Sequence, residues 1–356
     1  CQASMYPIKK ITAWSRVYGR VFAVRSLKAK ELWKRSEERM SVRKRFLSAA
    51  LCLCMLLCIS GVGVGTYAYA ADGTHDSHPI CGKTHTDIGD HTSDQCQAVE
   101  WIALTQSAVD EAGGTMTLES GKSYYLSESI TAQDSVVLSG GTVNLCLNGK
   151  KLTVPIEQIR MGSYTVGGVI WVDGGAVLNI CDCEGTGSIL CEGTDEPLFQ
   201  KCTVYCLRTG ALNLFGGNII RTGGVHGRAV EITNFATFKM YGGTVHNQND
   251  DSSRPAVNSK TSASSEFPVR IYGGEIISDS GYGLAMDTYN ADVLIEGGTI
   301  SGGRCAVYIN ADGDALTLGG SPNLCVTGSD PEAVLYLTDR PDFVIIRDDF
   351  APAQPI

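Results

Sequence analysis

The sequence predicts an all-β chain wound into a right-handed parallel β-helix, with a short N-terminal capping helix, and three observations carry that expectation. An inward apolar anchor recurs in "VIWV", "TVYC", "AVEI", "AVNS", "LAMD", "AVYI" and "AVLY", at Ile170, Val204, Val230, Val257, Leu284, Val307 and Val334. The spacings are 34, 26, 27, 27, 23 and 27 residues, a period typical of stacked repeats. A second short strand pattern follows most anchors and ends in Gly-Gly, as in "ALNLFGG", "TFKMYGG", "VLIEGG" and "LTLGG". Between Trp101 and Gly113-Gly114 lies an apolar pattern of helical spacing, with Trp101, Leu104 and Ala108 on one face.

Each element follows from elementary constraints. Alternation with period two puts Leu212 and Leu214, Phe238 and Met240, Val269 and Ile271, Val293 and Ile295, and Leu316 and Leu318 on one face. One rung cannot bury that face alone, whereas stacked rungs bury it in a continuous core. Gly-Gly marks the corner where the backbone turns sharply with no Cβ in the way. Val230, Val257, Leu284, Val307 and Val334 are expected in one stacked inward column, with Ile232 and Ile309 beside it. A β-propeller would need longer repeats, and a leucine-rich repeat would bring a Leu-rich consensus and an Asn ladder. Neither pattern is read here.

The segment at 40–70 reads as a secretory signal peptide: basic residues, an uncharged apolar run from Phe46 to Val64, then Ala68-Tyr69-Ala70. Cleavage there leaves no membrane span, although the run is long enough to serve as an anchor if it is kept. Residues 1–39 precede Met40 and read as upstream sequence that is not translated or as a disordered basic extension. The β-helix is expected over 98–350, followed by the start of a linker at 351–356, where the chain reads as truncated. Of the 29 Lys and Arg, 13 fall in residues 1–45 beside three acids, leaving 16 bases against 35 acids in the rest. So acidic an exported part argues against nucleic acid or an anionic membrane as partner. It is compatible with cations, neutral glycans or basic partners.

The opening of the domain, "AVEWIALTQSAVDEAGGTMTLESGKSYYL", and its continuation, "SVVLSGGTVNLCLNGKKLTV", resemble the pectin-lyase-like superfamily. "HDSHPICGKTHTDIGDH", "EWIAL" and "LCLNGKKL" also resemble the N-terminal regions of large repetitive surface proteins of Gram-positive bacteria. The resemblance spans about residues 73–330. It implies an exported or wall-associated module serving adhesion, glycan contact or spacing, with a host or cell-wall surface component as partner.

The superfamily includes polysaccharide lyases and glycoside hydrolases, so a carbohydrate-active enzyme is the alternative. Its candidate acids and base are Asp250 and Asp251 in "NQNDDS", His226 in "GGVHGR", and Asp312 and Asp314 in "NADGD". The order departs from the polygalacturonase pattern, in which the Asp pair precedes the His, and the "NTDG" and "RIK" companions are missing. A glycan-contact surface has a different signature: aromatic faces against sugar C–H groups, with polar groups alongside. Phe215, Tyr241 and Tyr272 fall at equivalent outward positions before Gly-Gly, with Lys239 and Arg270 two residues upstream of the tyrosines. The same aromatics read more readily as stacked structural supports, or as a column lying under a loop.

Two further patterns concern metal and sulfur. His75, His78, Cys81, His85, His91 and Cys96 cluster in the segment 71–97 and could supply a tetrahedral structural zinc site. The polar "DGTHDSHP" within it has the composition of a solvated linker, and both readings stand. Cys146, Cys181, Cys183, Cys191, Cys202, Cys206, Cys305 and Cys325 are spread through strand-like segments. They read as small packing residues more readily than as a disulfide framework.

Overall fold

The computed structural model describes residues 101–162, 166–193, 200–224, 226–261, 267–287, 292–310, 315–328, 333–337 and 344–353. The chain falls into two compact units, Cys1–Ala68 and Tyr69–Ile356, and all described residues belong to the second. The calls on the signal peptide and on the His/Cys segment lie outside the described residues, as do those on Asp312 and Asp314. Among the described residues no helix is long and apolar enough to cross a membrane.

The second unit is a parallel β-helix with three faces. Face A comprises the first parts of Val136–Cys146 and Val166–Cys181, then Gln200–Cys206, Arg228–Thr233, Val257–Lys260, Tyr282–Met286, Cys305–Ile309 and Ala333–Leu337. Face B begins with Trp101–Leu104 and Ser123–Leu126 and takes the second parts of the same two long strands. It continues through Ala211–Leu214, Thr237–Met240, Val269–Ile271, Val293–Ile295, Leu316–Leu318 and Val344–Ile346. Face C holds eight strands from Ile130–Thr131 to Asn323–Val326. At roughly 4.8 Å per strand, eight strands give a stack about 34 Å tall.

The chain passes from A to B to C and back to A one turn higher, so neighbouring strands are parallel. The expected face-A column is present in register: Ile170 pairs with Val204, Val204 with Val230, then Val257, Leu284 and Val307. In the last turn it is corrected by one residue, because Val307 faces Leu335 and not Val334. "AVYI" and "AVLY" invite alignment of their Ala-Val pairs, but Cys305 sits opposite Ala333, which shifts the match. Val334 still packs against the core from the adjacent position. Ile232 and Ile309 occupy the neighbouring column as expected, although that column also contains Ser259, buried with no hydrogen bond to its hydroxyl.

On face B the five expected pairs from Leu212 and Leu214 to Leu316 and Leu318 all point inward and are fully buried. Face C adds Ile219, Val245, Ile276, Ile300 and Leu324 in one line. At the B–C corner the two glycines have different jobs. The second is left-handed, as at Gly243 with φ +77° and Gly274 with φ +81°, a conformation costly for other residues. The first must be bare for space, since a Cβ on Gly273 would sit 2.6 Å from the Tyr241 carbonyl oxygen one turn below.

The capping element differs from its expectation. Trp101–Leu104 is a strand, paired in parallel with Ser123–Leu126, and the helix is confined to Gln106–Glu111. Thr105 ends the strand and caps the helix, its side chain accepting from the Ala108 amide. Val109 is the buried helical residue, and Ala108 is exposed. The spacing of Trp101, Leu104 and Ala108 fits a helix, but Trp101–Leu104 gains a full strand partner 22 residues downstream.

Candidate ligand-contact face

Face B carries two parallel ladders on its outer surface. Strand register alone creates them, because residues one rung apart lie directly above one another. In the first, Asn144 donates to Ser123 Oγ at 2.9 Å, Asn179 to Asn144 Oδ1 at 2.8 Å, and Asn213 to Asn179 Oδ1 at 2.8 Å. A short amide ladder is therefore present, contrary to the reading of the sequence. Lys239 and Arg270 continue the line in register above Asn213.

Phe215, Tyr241 and Tyr272 lie beside this line, each one residue beyond the end of its strand. The rings of Phe215 and Tyr241 are 4.8 Å apart and inclined by 3°, and those of Tyr241 and Tyr272 are 5.1 Å apart and inclined by 15°. Main-chain bonds fix the spacing, since the amides of Phe215, Tyr241 and Tyr272 donate to Ile180, Leu214 and Met240 one turn below. All three aromatics are half-buried, as are Lys239 and Arg270, so ring edges and cationic stems reach the surface together. The Arg270 guanidinium lies 5.6 Å from the Phe267 ring centre and donates to the Phe267 carbonyl and the Tyr272 hydroxyl at 3.3 and 3.4 Å. Beyond Tyr272 the line passes to Glu296, which accepts from Arg347. The five residues expected to form one strip are thus brought together.

A second aromatic stack, not foreseen from the sequence, lies on face A. Tyr282 and Tyr308 are 4.3 Å apart and nearly parallel, and Tyr308 stacks on Tyr336 at 5.5 Å. Tyr308 faces Ala285, while Tyr282 faces Cys305; the small Ala285 leaves room for the Tyr282 ring. Arg304 lies 5.4 Å from the Tyr282 ring centre.

The candidate acid–base residues meet at the C–A corner. His226 and Asp251 approach to 3.8 Å across consecutive turns, and Arg254 donates to Asp251 at 3.2 Å with its other arm 3.4 Å from His226 Nδ1. Burial raises the Asp251 carboxyl, but hydrogen bonds from Ser253 and Arg254 outweigh it and hold the group below its ordinary value. It is therefore an anion that closes its own turn, unsuited to protonating a leaving group. Asp250 is exposed. The carboxyls that burial pushes upward, Asp182 and Asp292, accept corner amides instead: Gly149 and Gly187 for Asp182, Ala315 for Asp292.

Deeper in the same corner, polar side chains point inward. Cys191, Arg221, Asn247 and Ser278 follow one another in register on face C, and Arg221, Asn247 and Ser278 are fully buried. Arg221 donates to the Lys201 and Gly193 carbonyls at 3.0 and 2.9 Å, Asn247 to Pro255 at 3.0 Å, and Ser278 to Arg254 at 3.2 Å. The alternation of "NIIRT" carried the signal, since it places Arg221 on the face of Ile219. Outside, Arg228 and Glu231 form a buried ion pair at 3.0 Å that Asn258 joins by donating to Glu231.

Among the described residues no group of three or more His, Cys, Asp or Glu side chains is placed to hold a metal. The eight described cysteines are thiols, six of them buried. Compared with family models, curated proteins and solved structures, the chain matches none.

Proposed function

We propose that the chain is an exported, non-catalytic β-helix module of a Gram-positive bacterial surface protein, related to the pectin-lyase-like superfamily, and that it contacts glycans through the outer surface of face B. The observation that carries the reading is the half-buried stack of Phe215, Tyr241 and Tyr272 flanked by Lys239 and Arg270. The exposed rim of the stack offers an apolar strip to sugar C–H groups, and the cations and neighbouring amides supply orientation. The test is binding to a panel of pectin, alginate and host glycans by the parent protein and by the Tyr241→Ala/Tyr272→Ala double variant. Binding by the parent, lost in a variant with an unchanged circular dichroism spectrum and Tm, is the expected result. A parent that binds nothing, or a folded double variant that binds as well as the parent, overturns it.

The second reading, a carbohydrate-active enzyme, is favoured by one observation: His226 and Asp251, 25 residues apart, come together across two turns. Its test is release of unsaturated or reducing sugar from the same panel, abolished by His226→Ala.

A further inference from the structure

Below Phe215, the aromatic line on face B continues as sulfur. Tyr125, Cys146, Cys181 and Phe215 occupy successive positions, with Tyr125 opposite Cys146 and Cys146 opposite Cys181, and Phe215 directly follows Leu214, which is paired with Ile180. Cys183 leans back over this line from the bend beyond Cys181, its Sγ 3.6 Å from Cys146 Sγ and 3.4 Å from the Asn148 amide oxygen. Cys146 and Cys181 are buried, whereas Cys183 is partly exposed. Three thiols from two consecutive turns thus form one cluster in which Cys183 is the partly exposed member, packed against Trp101, Tyr125 and Phe215.

We propose that Cys146 and Cys183 are a site of oxidative cross-linking, closing to a disulfide that ties two consecutive turns of the coil together. The alternative partner, Cys181, also has its thiol hydrogen-bonded to Cys146, but its strand geometry is the less suited to a disulfide. It lies directly opposite Cys146 on a hydrogen-bonded parallel strand, where side chains run parallel at about 4.8 Å, wider than the Cβ separation of about 3.5–4.5 Å that a disulfide requires. Cys183 lies outside the strand, and its Sγ has only to close the remaining gap through a small movement of the bend.

The oxidant is a small dialkyl disulfide such as oxidised glutathione. The Cys183 thiolate attacks one sulfur, forming a mixed disulfide and expelling one glutathione thiolate, which takes up the proton that Cys183 lost. Cys146 then attacks the Cys183 sulfur and expels the second glutathione as a thiol. The protein loses two protons and two electrons, and the reagent gains them. Burial, with the neighbouring thiol and carboxylate groups, pushes Cys183 up to about 12. The reaction is consequently slow at neutral pH and accelerates about tenfold per pH unit as the thiolate fraction rises.

The experiment treats the native full-length chain with oxidised glutathione in mildly alkaline buffer and maps the products without reduction. Cleavage before Asp182 separates Cys181 from Cys183, so the two links are distinguishable. The expected product is a Cys146–Cys183 linked peptide pair, lighter by two hydrogens, retained in Cys181→Ser and absent from Cys183→Ser. An unchanged circular dichroism spectrum shows that the variants fold. A Cys146–Cys181 link overturns the proposal. So does a stable glutathione adduct on Cys183 beside an intact Cys146 thiol, a link from Cys183 to a cysteine of the N-terminal region, or unreacted protein.

Discussion

The B–C and C–A corners turn the same chain by opposite chemistry. At B–C the chain removes side chains: Gly242-Gly243, Gly273-Gly274 and Gly297-Gly298 stack so closely that a Cβ on the second glycine would meet the glycine carbonyl one turn below at 2.4 to 2.7 Å. At C–A it adds them, and Arg221, Asn247 and Ser278 reach buried carbonyls that would otherwise lack donors. The first solution is constant in length over four consecutive turns, from Leu214 to Asn218 through Ile295 to Thr299, with three residues between strands each time. The second tolerates insertions, because a side chain can find its carbonyl in loops of different sizes. Connections of differing length occur at corners of the second kind, where His226, Asp251 and Arg254 also gather, and between faces A and B.

The comparison breaks most severely at the glycines. Gly243→Val combines a left-handed φ with a Cβ placed 2.4 Å from the Gly217 carbonyl, and should destabilise by at least about 3 kcal/mol. Chemical denaturation reads the loss, and a variant within 1 kcal/mol of the parent, on the scale of a tolerated surface change, would mean that the corner relaxes easily. At the C–A corner, Asn247→Ala leaves the Pro255 carbonyl without its donor and should cost about 1–3 kcal/mol. Asn247→Asp keeps the shape while removing the donor, so it should cost at least as much. If the aspartate variant matches the parent, packing and not donation holds that corner.

The smallest expected effect separates the two corners by pH. Asp251, at C–A, has its folded value depressed, so its contribution is present above the ordinary carboxylate range near pH 3.9 and is lost as pH falls through the folded value. Asp182, at B–C, has its folded value raised by burial, so its contribution is greatest at low pH and is lost as pH rises through that value. The stability gap between parent and Asp251→Asn should narrow on acidification, while the gap between parent and Asp182→Asn should widen. Parallel trends in denaturation midpoint for the two variants would refute the assignment.

The parts of this fold legible in the sequence are those with a short period. Alternation within strands, the recurrent anchor and the Gly-Gly corners depend on residues close in the chain, and they gave the faces and nearly every column. The last turn slipped by one residue because "AVLYL" is apolar at every position and offers two plausible anchors, Val334 and Leu335. The amide ladder was missed because Asn144, Asn179 and Asn213 are 35 and 34 residues apart, in the long early turns where the common period does not hold. The Tyr282, Tyr308 and Tyr336 stack was hidden for another reason: Tyr282 sits three residues off register and reaches its neighbour only across Ala285. The aromatic strip was visible as a pattern, but its half-buried state depends on how the corner turns, which a linear pattern does not encode.

The stacking of each turn on only its two neighbours gives the rod a mechanical character. A pull between its ends loads the rungs in series, and the turn at the end can peel away without disturbing those behind it. Each released turn, such as the 27 residues from Val230 to Val257, exchanges a rise of about 4.8 Å for about 90 Å of extended chain. A coil built this way lengthens stepwise under tension.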